Sequence, residues 1–238
     1  MARGDVHALV HVTVAAATAL ELARLRAAWP AGPYHAALEL EYLVSGVGPV
    51  ATAVSLVERL AGPRRPDLLL NVGLAGALDR SLALGDVVHV VREEFGDLGA
   101  EERDGSFTSA IALGLVDPEA PPFREGRLWC PREPAFAKTV TGVTCSTVHG
   151  EATGIARLRE RTDAQVETME GAAAMWVAQR RGVAFVQLRA ISNYVEPRDR
   201  ASWRIELALD NLTGAVSSLL SGLPGAAAAR SARRQSGR

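Results

Sequence analysis

The chain has 238 residues, of which 48% are hydrophobic and 22% are charged. This length and composition are typical of one large soluble globular domain. The formal net charge of −1 gives no support to a protein that captures nucleic acid or an anionic membrane by charge. Two cysteines and five histidines lack the spacing of a disulfide framework or a zinc site, so we expect neither a metal nor a cofactor.

The amino-terminal segment permits two interpretations. Residues 1–20 combine a weakly basic start, an apolar stretch and Ala-x-Ala triplets, and secretory signal peptides share these features. Polar side chains, including His7 and His11, interrupt the apolar stretch, which favours a buried first strand over Ala8–Ala15. No later segment has the roughly 20 apolar residues that span a bilayer, so we expect a cytoplasmic protein.

Helical and strand patterns alternate along the rest of the chain. Apolar periodicity predicts helices at residues 19–29, 50–62, 150–162, 169–182 and 202–220, the last with Ser202 as its N-cap. Short runs rich in β-branched residues predict strands at residues 38–46, 67–76, 85–95, 137–148, 164–168 and 183–192. The alternation predicts an α/β fold in which helices flank a mostly parallel or mixed sheet.

Two segments depart from this pattern. Residues 96–134 are rich in Gly, Pro and acidic residues, and we predict an excursion over the surface or the active site. Residues 222–238 are basic and have no apolar period, which predicts a disordered tail after a single domain at residues 1–221. A solvated end is favoured over a tail that contacts RNA or lipid.

Four short motifs stand in order along the chain. The turns "SGVG" (Ser45–Gly48) and "NVGLAG" (Asn71–Gly76) follow predicted strands, but neither matches a dinucleotide fingerprint or a P-loop. Together with "VETMEGAA" (Val166–Ala173) and "RAISN" (Arg189–Asn193), they resemble the nucleoside phosphorylase and nucleosidase superfamily from about Val10 to Leu212. The resemblance implies a three-layer α/β/α sandwich around a mixed, partly closed β-sheet. It also implies a purine nucleoside substrate and a homo-oligomer, usually a dimer in the hydrolytic branch.

The resemblance assigns chemical roles to two acids. Glu170 would bind the ribose hydroxyls, with Met169 packed beneath the sugar, and its charge would stabilise the oxocarbenium-like state of ribosyl transfer. Glu21 follows the first strand and would activate water. Each acid also has a plainer interpretation: Glu170 as a cap at a helix start and Glu21 as a surface carboxylate.

Asn193 departs from the adenine-specific nucleosidases, which have an aspartic acid at this position. An amide can donate to a 6-oxo group and accept from a protonated N7, so it favours hypoxanthine or guanine over adenine. It cannot act as a general acid, and base departure would depend on hydrogen bonding. Arg189 and Ser192 of the same motif would orient this amide.

Other positions are implied as lining the base and ribose. Three residues of the second glycine turn would form a wall beside the base and ribose, and two further residues would contact the base through their backbone groups: Gly73, Leu74 and Ala75, and Thr147 and Val148. Leu74 replaces a serine of the related nucleosidases, which puts any polar contact from that side chain in doubt.

The run from Ile191 to Leu212, with "DLGAE" at Asp97–Glu101, resembles the futalosine hydrolase branch of the superfamily. Futalosine is an inosine derivative whose 5′ arm ends in a benzoate, and this branch releases hypoxanthine and dehypoxanthine futalosine in menaquinone biosynthesis. The resemblance places Trp203 against the benzoate ring, and Arg198 or Arg200 would pair with its carboxylate. The alternative for both arginines is a solvated loop charge.

Three alternative functions stay open. A phosphorylase needs a phosphate clamp of arginines and glycine-turn amides, but the loop at residues 15–22 contains no arginine, which favours water as the nucleophile. A methylthioadenosine or adenosylhomocysteine nucleosidase is disfavoured by Asn193. A nucleoside-binding protein without catalysis is disfavoured because both Glu21 and Glu170 are present.

Overall fold

The computed structural model describes residues 9–34, 38–130 and 137–236, which form five α-helices, eleven β-strands and a short 3-10 helix at Arg200–Ser202. The helices are α1 (Ala19–Ala28), α2 (Pro49–Ala61), α3 (Ala152–Arg161), α4 (Gly171–Arg181) and α5 (Ile205–Ser236). The strands are β1 (Val10–Ala16), β2 (Gly32–Tyr34), β3 (Leu38–Val44), β4 (Leu68–Ala77), β5 (Val87–Phe95), β6 (Gly99–Glu101), β7 (Phe107–Ser109), β8 (Leu128–Trp129), β9 (Lys138–Thr144), β10 (Val166–Thr168) and β11 (Ala184–Tyr194).

Nine strands form one sheet in the order β10-β9-β5-β11-β4-β1-β3-β2, with β8 paired to β5. β10 also pairs with β4, so the strands β10, β9, β5, β11 and β4 close into a ring. β1 is parallel to β3 and β4, and β11 is parallel to β4 but antiparallel to β5. The sheet is therefore mixed and partly closed, which confirms the predicted fold.

Helices cover both faces of the sheet. Leu22 and Leu25 of α1 and Leu212 of α5 are buried in one apolar cluster with β1, β4 and β11. Leu56 of α2 and Met175 of α4 are buried in a second cluster on the opposite face. These two clusters and the sheet between them form the expected three layers.

The ends of the chain differ in part from the predictions. β1 confirms the buried first strand over its described part, while His7 and Ala8 lie outside the described residues. α5 continues through residues 222–236, where composition predicts a disordered tail, and the division of the chain at residue 221 stays a prediction. Residues 237–238 also lie outside the described part.

The prediction that Ser202 caps the last helix is wrong. α5 begins at Ile205, and the Ser202 hydroxyl donates instead to the carbonyl of Asp199 at 2.8 Å. Ser202 therefore closes the 3-10 helix that precedes α5, because its hydroxyl finds a nearer acceptor in that tight turn.

The excursion that follows β5 carries a small hairpin of its own. β6 and β7 pair in an antiparallel manner, and β8 returns the chain to the edge of β5. Within the described ranges, no helix combines the length and apolar character that crossing a membrane requires.

The sheet brings several loops to one edge. β1, β3, β4 and β11 run in the same direction, so their carboxyl ends lie together. In open α/β sheets ligands bind at this edge, where the connections to the following helices leave a crevice. The predicted site residues of β4, β11 and the loop after β1 lie there.

Candidate active site

Glu21 lies in the first turn of α1 and is held at both carboxylate oxygens. Oε2 accepts from the Thr18 backbone N–H at 3.0 Å and from the Thr18 hydroxyl at 2.8 Å. The Glu21 backbone N–H donates in return to the Thr18 hydroxyl oxygen at 3.3 Å, which completes a capping box. Oε1 accepts from the backbone N–H of Leu74 at 3.1 Å. Glu21 is therefore directed at the end of β4 and is only half-exposed, unlike a freely solvated surface carboxylate. Leu74 binds Glu21 through its backbone N–H, so this contact does not need the serine hydroxyl that related nucleosidases have at this position.

Gly73 allows the close approach of this carboxylate to the sheet. A Cβ atom at Gly73 would lie 2.7 Å from Glu21 Oε1 and 3.4 Å from Arg189 Nη1. Real Cβ atoms do not approach other atoms to less than 3.0 Å, so a side chain here would displace the carboxylate. The absence of a side chain at Gly73 thus places Glu21 close to Arg189.

Glu170 reaches the same edge from the start of α4. It occupies the N-cap position, but its side chain makes no capping bond. Its Oε1 accepts instead from the backbone N–H of Gly48 at 3.0 Å, and Gly48 has a φ of 85° that favours glycine. Burial raises the pKa of the Glu170 carboxyl and the charge of Glu21 raises it further, while Arg189 and the Gly48 amide oppose the shift. The helix-cap interpretation therefore does not account for where this carboxylate points.

Arg189 lies fully buried beneath the two acids. Its Nη2 donates to Asn71 Oδ1 at 2.5 Å and its Nη1 to the Leu188 carbonyl at 3.4 Å. One bond goes to Asn71 in the neighbouring strand β4 and the other to the preceding residue of β11, and neither goes to Asn193, which Arg189 was expected to orient. Its charge instead favours the ionised form of Glu170.

Asn193 follows a register shift in β11 and is held by its neighbours in sequence. The Ser192 hydroxyl donates to Asn193 Oδ1 at 2.7 Å, and Asn193 Nδ2 donates to the Tyr194 carbonyl at 3.0 Å. An amide oxygen has two lone pairs and an amide nitrogen two hydrogens, so one of each stays available for a ligand. The contact expected from Ser192 is thus present.

The loop after β9, with Thr147 and Val148, lies near Asn193. The backbone N–H and the Nδ1 atom of the next residue, His149, both bond to Glu167. Glu167 lies opposite Gly76 in β4, and Gly76 lies opposite Asn193 in β11. This register brings the loop and Asn193 to the same part of the sheet edge.

One group of side chains in this region could hold a metal ion. The ligand atoms of Cys145, His149 and Glu167 all lie within 4.8 Å of one another. Cys145 and His149 are four residues apart in the loop after β9, and Glu167 comes from β10, so sequence spacing alone does not reveal the group. Burial raises the pKa of the Cys145 thiol to about 12, and the nearby charge of Glu167 adds to this, so the metal-free thiol is neutral.

Trp203 and two arginines form a cluster beyond Asn193. The guanidinium of Arg198 lies 5.2 Å from the centre of the Trp203 ring, and that of Arg200 lies 5.9 Å from it. The backbone N–H of Arg204 donates to the Ser192 carbonyl at 2.8 Å, which ties this cluster to the end of β11. Both stacked arginines are exposed, so their charges face solvent.

The structure thus joins most of the predicted residues, through direct contact or strand register. Met169 is half-buried in the turn before Glu170, and the carbonyl of buried Ala75 accepts from Ser192 at 3.4 Å. A separate cavity of about 600 Å³ lies beside the excursion and includes none of the predicted site residues. Its walls include the side chains of Phe95 and Phe107.

Comparison with known proteins identifies the family of the chain. The chain matches the model of the phosphorylase superfamily over residues 38–221. It is 38% identical over 187 residues to a futalosine hydrolase of Streptomyces coelicolor, with 75% of this chain and 77% of that protein covered. It is 34% identical over 192 residues to a futalosine hydrolase of Thermus thermophilus, with 75% and 80% covered.

Solved structures share the fold at lower identity. A futalosine hydrolase mutant of Helicobacter pylori has a TM-score of 0.74 and 16% identity, with 90% of this chain and 99% of that chain covered. The 5′-methylthioadenosine/S-adenosylhomocysteine nucleosidase of Neisseria meningitidis, in complex with methylthio-immucillin-A, has a TM-score of 0.71 and 20% identity, with 86% and 96% covered. The chain belongs to the phosphorylase superfamily and, within it, to the futalosine hydrolase family.

Proposed function

We propose that this protein hydrolyses the N-glycosidic bond of futalosine and releases hypoxanthine and dehypoxanthine futalosine, as a step of menaquinone biosynthesis. The observation that carries the proposal is that two carboxylates, Glu21 and Glu170, lie close to each other and to Arg189 at the carboxyl ends of parallel strands. Gly73 leaves the space that the Glu21 carboxylate occupies. Membership of the futalosine hydrolase family supports the choice of substrate.

Glu170 would act on the sugar. As the bond between C1′ and the base nitrogen breaks, positive charge builds on the ribose ring, and a fixed carboxylate beside it lowers the energy of that state. The bond from Gly48 fixes the direction of this carboxylate before substrate arrives. Arg189 favours its ionised form, which both hydroxyl binding and charge stabilisation require.

Glu21 would act on the water. The water oxygen bonds to C1′ while Glu21 takes one of its protons, and the departing base keeps the electron pair of the broken bond. Three hydrogen bonds hold the Glu21 carboxylate in one orientation. Such orientation is worth several orders of magnitude in rate when a water must be placed against a single carbon.

Asn193 would recognise the base. Its available N–H can donate to O6 of hypoxanthine, and its available lone pair can accept from N7–H. Ser192 fixes which way the amide faces, because its hydroxyl donates to the carbonyl oxygen. Hydrogen bonds would therefore stabilise the leaving base, which takes its proton from solvent.

The cluster of Trp203, Arg198 and Arg200 would bind the 5′ arm. An indole ring can stack on the benzoate, and a guanidinium that lies over this ring can pair with the carboxylate. We place this contact on Arg198 because its backbone also bonds to Gly150, next to the loop that carries the predicted base contacts.

We further propose that the protein acts in the cytoplasm as a homodimer. α2 and the turn before it expose a row of valines at helical spacing: Val47, Val50, Val54 and Val57. Val50 is 76% exposed, and an uncovered apolar row of this kind favours a protein contact. A second copy on α2 would also shield the turn whose Gly48 amide binds Glu170. Light scattering of the wild type and Val50→Glu tests this: a dimer that the variant splits supports it, and a wild-type monomer contradicts it.

A single assay of base release tests the function. Futalosine, inosine and methylthioadenosine are offered to the wild type and to Glu21→Gln, without and with phosphate. We expect hypoxanthine from futalosine at a rate that phosphate does not change, and a loss of kcat by about 10² to 10⁴ in the variant. Phosphate-dependent release would indicate a phosphorylase, adenine from methylthioadenosine would indicate the adenine nucleosidase, and binding without release would indicate a binding protein.

A further inference from the structure

Glu93 is an acid that the chemistry above does not use, and it is completely buried near the end of β5. Its Oε2 accepts from the Thr144 hydroxyl at 3.0 Å, and its Oε1 accepts from Gln187 Nε2 at 2.7 Å and from the Thr168 hydroxyl at 3.4 Å. The partners come from β9, β11 and the end of β10. Glu93 therefore joins three strands of the closed ring at one point.

The two threonines carry this network to the start of α4. The backbone N–H of Ala172 donates to the Thr144 hydroxyl oxygen at 2.8 Å, and the N–H of Gly171 donates to that of Thr168 at 3.3 Å. The two hydroxyl oxygens are themselves 3.0 Å apart. The first two amides of α4 are thus held by groups that Glu93 orients.

The start of α4 also lies directly against the buried carboxylate. A Cβ atom at Gly171 would lie 2.0 Å from Glu93 Oε1, and one at Gly142 would lie 2.6 Å from the same atom. Only glycine permits this separation at either position. Glu170 is the residue immediately before Gly171, so its backbone is set by the same packing.

We propose that Glu93 is a positioning residue: through the two threonines it fixes the start of α4 and so directs the Glu170 carboxylate toward the ribose. This inference rests on the proposed function, because it concerns the role of Glu170 in that reaction. Glu93 itself touches no substrate. Its effect passes through the backbone of Gly171 and the bond from Gly48 to Glu170.

Because Glu93 can be protonated, its positioning of α4 depends on pH. Burial raises the pKa of Glu93 to about 7, while bonds from Gln187 and the two threonines and the charge of Arg189 oppose the shift. Arg189 from β11 is a charged group that interacts with Glu93, and the neutral Cys145 thiol after β9 is a titratable group that does so. The ionised carboxylate accepts all three bonds, whereas the neutral acid carries a proton that must be donated to one of these partners.

The test compares the wild type with Glu93→Gln, which keeps the shape and resembles the neutral acid. We expect the ratio of wild-type to variant kcat/KM for futalosine to be about ten at about pH 8 and to approach one at about pH 6. Thr144→Val removes the link to α4 together with one hydrogen bond to Glu93, and it leaves the carboxyl group itself in place. It is expected to cause a similar loss, and the double variant should lose no more than either single variant, since both act through one network.

His89→Leu is the matched control on the same strand. His89 is also completely buried and titratable, but its two ring nitrogens have no hydrogen-bond partner in the described structure. Its removal is expected to leave the pH profile of kcat/KM unchanged. Equal losses at every pH in Glu93→Gln, additive losses with Thr144→Val, or no loss at all would overturn the positioning role. A wild type that releases no hypoxanthine would instead overturn the proposed function, and the inference with it.

Discussion

Replacing Gly73 with alanine tests the placement of Glu21 most sharply. The new methyl carbon would lie 2.7 Å from Glu21 Oε1, whereas ordinary contact begins at 3.4 Å, so the carboxylate must retreat by about 0.7 Å. Glu21 is bound on both sides by Thr18 and Leu74, and the retreat stretches or breaks the bond from the Leu74 amide. A hydrogen bond to a charged group contributes about 1.5 to 3 kcal/mol. We therefore expect kcat/KM for futalosine to fall by roughly 10- to 100-fold.

Gly214→Ala is the matched control for this substitution. Gly214 lies within α5, and a Cβ atom there would meet no other atom within 4 Å. Alanine in a helix interior is expected to raise the free energy of unfolding by about 1 kcal/mol, and hypoxanthine release should stay at the wild-type rate.

The two variants are compared by hypoxanthine release and by urea denaturation. Gly73→Ala should stay folded at the assay temperature, because the strain falls on one side chain at the edge of the sheet. Wild-type kcat/KM in Gly73→Ala would refute the placement of Glu21 against β4. An equal loss in the Gly214 variant would show that glycine removal acts through stability and not through the carboxylate.

Three further predictions follow from the site. Asn193→Asp is expected to lower hypoxanthine release from futalosine at least about tenfold, since a carboxylate facing O6 cannot donate to it; unchanged or improved turnover would contradict the role of the amide. Arg198→Gln should raise the KM for futalosine about tenfold and leave that for inosine unchanged, while Arg64→Gln, at an exposed arginine paired with Glu39, should change neither. Because burial raises the pKa of Glu93, the folded protein holds that proton more tightly than the unfolded chain. The unfolding free energy of the wild type should therefore fall relative to that of Glu93→Gln as the pH rises from about 4.5 to about 7, by about 3 kcal/mol at most. Urea denaturation of both proteins across this range measures the difference, and a difference that does not change with pH would contradict the prediction.

The site residues within short motifs were open to prediction from the sequence. Glu170 and Asn193 stand in matched motifs near the ends of strands, and Glu21 follows the first strand, where the family resemblance implies the acid that activates water. The alternation of strand and helix patterns likewise indicated the layers. Strand order and the pairing of β10 with β4 depend on contacts between distant segments, which periodicity alone does not specify.

Glu93 shows why the rest was not predictable. Its three partners lie 51, 75 and 94 residues away in the chain, so no local spacing connects them. The sequence does contain one indication, which is the pair of acids Glu93 and Glu94 at the end of an apolar strand. Successive side chains of a strand point to opposite faces of the sheet, so one of the two acids must point inward. Ser202 shows that a local pattern can also mislead. Serine is a common N-cap residue, but here its hydroxyl donates to Asp199 within a tighter turn and does not cap α5.

The central claim is that one pocket holds the sugar, the water and the base. A crystal structure of Glu21→Gln with futalosine bound tests it most directly, because that variant should bind substrate and turn it over slowly. We predict the ribose hydroxyls within hydrogen-bond distance of Glu170, the 6-oxo group against Asn193, and C1′ facing position 21. Futalosine bound in the separate cavity beside the excursion, or away from any of these three residues, would contradict the account.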